Sequence, residues 1–136
     1  MEIAVLGGGN GSLAAAADLS SNGHKVRYWR RNSKAISILK SAQNILRLKD
    51  FSGTKNIKIS KVTSNISETI KGAELIVCPI PATGQLDIAN LITPHLESKQ
   101  VVLLPPGSFG SWIMAKSLDN ANNKADVSNV TRMAQM

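Results

Sequence analysis

Gly7, Gly9, Asn10 and Gly11, followed by Ser12, have the types and spacing that hold a phosphate group through backbone N–H donors. The glycines follow the apolar run Ile3 to Leu6 directly, so the chain can turn tightly there with no side chains in the way. Ala14 to Ala17 then favour a helix opening at about Asn10. Its unpaired N–H groups and partial positive charge would face the loop, contributing about 0.3–1 kcal/mol per nearby negative charge. Gly7, Gly9 and Ser12 fall on the three positions of a Gly-x-Gly-x-x-Gly fingerprint, with serine at the third. A second register, Gly9, Gly11 and Ala14, fits the form ending in alanine; the first is preferred because its leading glycine abuts the strand. Ser12 is expected to push the helix slightly off the sheet or to place its hydroxyl near the phosphate. The plain alternative to a phosphate loop is a glycine turn.

About 20 residues further on, dinucleotide-binding folds place an acid at the end of the second strand to hold the ribose 2′-hydroxyl. Here the sequence reads Tyr28-Trp29-Arg30-Arg31-Asn32-Ser33, with no acid. Arg30, Arg31 and the Ser33 hydroxyl could instead surround a 2′-phosphate, so the expected cofactor is NADP rather than NAD. The alternative is a solvated basic strand end. Two more loops should reach the same edge of a parallel sheet. Pro81, Ala82 and Thr83 are candidates for the cofactor's middle, and Pro106, Gly107 and Ser108 for its nicotinamide end. Both are equally readable as ordinary proline-terminated strand exits.

The elements that must position these residues alternate between strand-like and helix-like. Strands are expected at Ile3 to Leu6, His24 to Trp29, Val62-Thr63, Leu75 to Cys78 and Val101 to Leu104, with a possible sixth starting at Ala125 to Val127. Helices are expected after Asn10, from Ser33 as cap, over Ser67 to Lys71, Gly84 to Leu96 and Phe109 to Ala121. From Asn44 to Ile59 the pattern is weaker and suggests a small hairpin or an irregular excursion around Ser52-Gly53. The expected fold is α/β, a doubly wound parallel sheet of the Rossmann type in the order 3-2-1-4-5-6, as one domain over residues 1–127 with a frayed tail over 128–136.

The chain has 136 residues, 16 Lys+Arg against 9 Asp+Glu, a formal charge of +7 and one cysteine. That length suits one domain. With 4% aromatic residues there is no stacking platform for RNA, and no apolar run of about 18 residues suggests a membrane span, so neither nucleic acid nor membrane is expected as a partner. Cys78 has no partner for an internal disulfide, no Cys/His spacing suggests a metal, and the expected location is cytoplasmic. His24 and His95 stand beside a turn and a helix end, so no catalytic residue is assigned.

The segments VLGGGNGSLAAAADL, CPIPATGQ and VVLLPPGSFGS together resemble the N-terminal domain of opine dehydrogenases of the octopine and nopaline type. Related cofactor domains occur in glycerol-3-phosphate dehydrogenase and ketopantoate reductase. The resemblance spans roughly Met1 to Val127 and implies an oxidoreductase: NAD(P)-linked reduction of an imine formed from an amino acid and a 2-oxo acid. This chain differs from the family pattern at Ser12 and Arg30, where a glycine and often an acid are expected. The family's histidine and acid lie in a second, helical domain. The expectation is therefore a truncated dinucleotide-binding domain that is not catalytic alone, and that self-associates or meets a separate catalytic domain. The alternative is a non-catalytic NADP-sensing module or a remnant.

Overall fold

Each apolar run becomes a strand buried on both faces, which is what a parallel sheet covered by helices on either side requires. In the computed structural model, which describes residues 1–105, 110–121 and the backbone of 130–131, the sheet strands are β1 (Glu2–Leu6), β2 (Lys25–Trp29), β5 (Lys61–Thr63), β6 (Leu75–Val77), β7 (Val101–Leu103) and β8 (Val130–Thr131). They lie in the order β5-β2-β1-β6-β7-β8, every neighbouring pair parallel. Counted along the sheet strands alone, this is the expected 3-2-1-4-5-6 order of a doubly wound Rossmann sheet. The sixth strand pairs Val130–Thr131 with Val102–Leu103, taking in two residues of the segment 128–136. Ala125 to Val127 lie outside the described residues.

Alternation along β1 sends its side chains into two cores. Ile3 and Val5 join Ala16 of α1 (Asn10–Ser21), Val26, Tyr28 and Ile36 of α2 (Ser33–Ser41). Ala4 and Leu6 join Trp29, Ile70 of α3 (Ile66–Ile70), Ile88 and Ile92 of α4 (Ala82–Ile92), and Met114 and Leu118 of α5 (Gly110–Asn120). A 3-10 turn, Thr93–His95, ends α4. Residues 45–58 resolve the ambiguity of the weak segment: β3 (Ile45–Asp50) and β4 (Gly53–Lys58) form an antiparallel hairpin, with Asp50 accepting from the Ser52 N–H at 2.7 Å and Phe51 fully exposed at the tip.

Helix ends follow local chemistry. α1 stops in a Schellman motif: Gly23, at φ +86°, donates to the Ser20 carbonyl and His24 donates to Leu19. α2 is capped by Asn32, whose side chain accepts from the Ala35 N–H at 3.1 Å, rather than by Ser33. Asparagine at this position has the short acceptor that the N3 amide needs, and Ser33 becomes the first helical residue.

Candidate functional site

The strand order reverses between β1 and β6, and their carboxyl ends deliver two loops to one crevice. Gly7 is held from both sides. Its N–H donates to the Trp29 carbonyl at 3.1 Å, and its carbonyl accepts from the Tyr28 hydroxyl at 2.7 Å. Gly7 sits at φ +137°, and a Cβ added there would collide with the Ser12 hydroxyl and lie 3.2 Å from the Ile80 side chain. Gly9 is the N-cap of α1 in extended conformation, with no side chain bonded to the helix N-terminus. The N–H groups of Asn10, Gly11 and Ser12 in that first turn therefore have no intrahelical partner. An anion fits them by this geometry.

The Ser12 side chain turns inward. It is buried, and its hydroxyl donates beneath the loop to the Leu6 carbonyl over a long 3.4 Å. The hydroxyl thus fills the space a side chain at position 7 would need and bonds to the end of β1 rather than lying on the exposed side of the loop. What Ser12 can offer a ligand is its backbone N–H.

Arg30 is half-buried, and a Cβ on Gly8 would lie 3.0 Å from its Nε, so the guanidinium stem lies across the glycine loop. The end of β2 is pinned underneath: the Arg30 N–H donates to Thr63 at 3.3 Å, and the Trp29 indole N–H to Ser64 at 3.0 Å. One cleft of about 310 Å³ runs between Gly7, Gly8, Trp29, Arg30, Arg31 and Asn32 on one wall and Ile80, Pro81, Gly84, Asp87 and Ile88 on the other. The fold thus brings Gly7, Arg30, Arg31 and Pro81 to one cavity. Gly9, Asn10 and Gly11 stand exposed at the adjoining helix opening, where a Cβ on Gly11 would lie 3.8 Å from Pro79. Ala82 is exposed at the start of α4 and Ser33 at the start of α2; neither lines this cleft. Pro106 and Gly107, with Ser108, lie outside the described residues.

Two residues of the site carry no motif that marks them in the sequence. Tyr28 reads as a core aromatic, and only its hydroxyl on the Gly7 carbonyl reveals that it props the loop. Asp87 sits mid-helix; the spacing Gly84, Asp87, Ile88, Leu91 is the one signal that turns it toward the cleft. Burial raises the Tyr28 phenol above its usual value of 10.0, against a smaller opposing pull from Arg30. This raised value stabilises the fold fully below pH 10, and the contribution is lost as pH climbs through the raised value. Tyr28→Phe leaves the buried Gly7 carbonyl without its donor and is expected to cost about 1–3 kcal/mol. Urea unfolding at pH 7 and above pH 10 checks both points, since the variant should also flatten the alkaline loss of stability.

Cys78 packs in the core that also holds Ile80 and Ile88. It is fully buried at the end of β6, and burial pushes its thiol up to about 12, so it is no nucleophile at neutral pH. Among the described residues, no histidine lines the cleft, no cluster of His, Cys, Asp and Glu could hold a metal, and no helix is long and apolar enough to cross a membrane.

Residues 2–130 match the family described as NAD-dependent glycerol-3-phosphate dehydrogenase N-terminus. The chain is 32% identical over 106 residues to a glycerol-3-phosphate dehydrogenase, NAD(P)+, of Limosilactobacillus reuteri, covering 75% of this chain and 30% of that protein. It is 29% identical over 125 residues to an opine dehydrogenase of Arthrobacter sp., covering 91% of this chain and 34% of that protein. It therefore spans about a third of the length of these relatives. Octopine dehydrogenase with NADH and L-arginine superposes with a TM-score of 0.75 at 16% identity, over 94% of this chain and 33% of that one. A ketopantoate reductase from Ralstonia eutropha JMP134 does so with a TM-score of 0.71 at 21% identity, over 85% and 38%. At these identities the structural likeness is one of fold. The resemblance drawn from the three sequence segments is borne out.

Proposed function

Because the chain belongs to the family of the NAD-dependent glycerol-3-phosphate dehydrogenase N-terminus, an NAD(P)-binding dehydrogenase domain, we propose that it prefers NADP(H) and serves hydride transfer to an imine or carbonyl. The observation that carries this reading is the pair of guanidiniums at the β2 exit. Arg30 lies over Gly8 and Arg31 lines the same cleft, where a carboxylate would otherwise take the ribose diol. In this reading Gly7, Gly9, Asn10, Gly11 and the Ser12 N–H hold the pyrophosphate, Arg30, Arg31 and Ser33 the 2′-phosphate, and Pro81 and Ala82 the middle of the cofactor. Pro106 and Gly107 are assigned to the nicotinamide end. The cofactor supplies the hydride; the chain binds and orients it.

The ionisable side chains lining the cleft, among the described residues, are Arg30, Arg31 and Asp87, with no histidine, cysteine or lysine beside them. We therefore assign the acid–base step to residues outside this domain, in a separate helical domain or subunit. The test is a side-by-side titration with NADPH and NADH at moderate salt. NADPH should bind at least tenfold tighter, as about 1.5–3 kcal/mol for a charge-assisted hydrogen bond implies. Equal affinities would remove the NADP assignment, and binding of neither would remove the cofactor reading.

A further inference from the structure

We infer that Asp87 and Asn90 form an acceptor–donor pair that reads the amino edge of the cofactor's adenine ring. The inference rests on the dinucleotide reading above and adds the residues that would select its base. Beyond Arg31 the cleft opens onto a shallow outer lobe of about 420 Å³, lined by Arg31, Asp87, Asn90 and Leu91. With the pyrophosphate on the glycine loop and the 2′-phosphate at the arginines, the base is the part of the ligand left to fill this lobe. Leu91 gives it an apolar contact, and a guanidinium such as that of Arg31 can stack on a π-system.

The polar rim has a definite sense. Asp87 and Asn90 are three residues apart on α4, which puts their side chains side by side on one helix face. The Asn90 Oδ1 accepts from the Ser117 hydroxyl of α5 at 3.2 Å, which leaves the Nδ2 donor of this lobe-lining residue for a ligand. Asp87 forms no ion pair or hydrogen bond among the described residues, so its carboxylate is available as an acceptor. An acceptor beside a donor complements adenine, whose 6-amino group donates and whose N1 accepts. It opposes hypoxanthine, where a 6-oxo group accepts and N1–H donates. Facing the Asp87 carboxylate, the 6-oxo group meets an acceptor where it needs a donor, and a mismatch of this kind leaves both groups unpaired.

The experiment compares NADPH with reduced nicotinamide hypoxanthine dinucleotide phosphate by equilibrium titration on the full chain. The wild type should bind NADPH about tenfold tighter, a ratio moderated by the exposure of both side chains. Asp87→Asn, which can donate to the 6-oxo oxygen, should bring the ratio to one or invert it, and Asp87→Ala should weaken NADPH and flatten the ratio. A wild-type ratio within twofold of one, or an unchanged ratio in Asp87→Asn, overturns the inference while leaving the cofactor reading intact. Failure of both dinucleotides to bind overturns both.

Discussion

Gly7→Ala is expected to destabilise the domain by about 3 kcal/mol or more and to abolish tight dinucleotide binding. Two costs add. At φ +137° any L side chain is strained, a penalty of about 1–3 kcal/mol, and the new methyl has nowhere to go between the Ser12 hydroxyl and Ile80, which costs about 1–3 kcal/mol more. Urea unfolding measures the sum. The double variant Gly7→Ala/Ser12→Gly separates the parts, because it removes the nearer obstacle and leaves the backbone strain. It should recover about 1 kcal/mol or more relative to Gly7→Ala. A single variant as stable as the wild type would mean that the loop adopts another path.

The second large effect is expected from Arg30→Ala/Arg31→Ala. NADPH affinity should fall by about a hundredfold and NADH affinity by less than about threefold, so that the preference between them disappears. Two charge-assisted hydrogen bonds would account for more than this in a dry site, but Arg31 is exposed and Arg30 only half-buried, so solvent weakens both. Raising salt should erode wild-type NADPH binding more steeply than NADH binding, since the extra phosphate carries the extra charge. Parallel losses for both nucleotides would instead show that the arginines act only by holding the glycine loop, a role the contact of Arg30 with Gly8 also permits.

How much of this was legible in the sequence depended on whether chemistry or packing made the decision. The strand order could be read because Ile3 to Leu6, Leu75 to Cys78 and Val101 to Leu104 are short apolar runs that only a doubly covered sheet can bury. The hairpin could be glimpsed but not asserted. Leu46 and Ile57 face the core while Arg47, Lys49 and Lys55 face water, and such short mixed segments fit an irregular loop equally well. The glycine loop and the arginines were legible as types at fixed offsets. The direction of the Ser12 hydroxyl was not, because a buried carbonyl and a bound phosphate compete for the same donor and only the helix position decides. Asp87 and Asn90 were invisible for a related reason. Their relevance arises from the lobe across from Arg31, which is a property of how α4 packs rather than of the neighbouring residues in the chain.

The sealed thiol of Cys78 gives the domain a native clock. With its side chain fully buried in the core that also holds Ile80 and Ile88, reaction with an alkylating reagent requires an opening that exposes it first. The rate of that reaction therefore counts opening events without any engineered label. A ligand that bridges the two halves of the sheet slows the count in proportion to how firmly it ties them together.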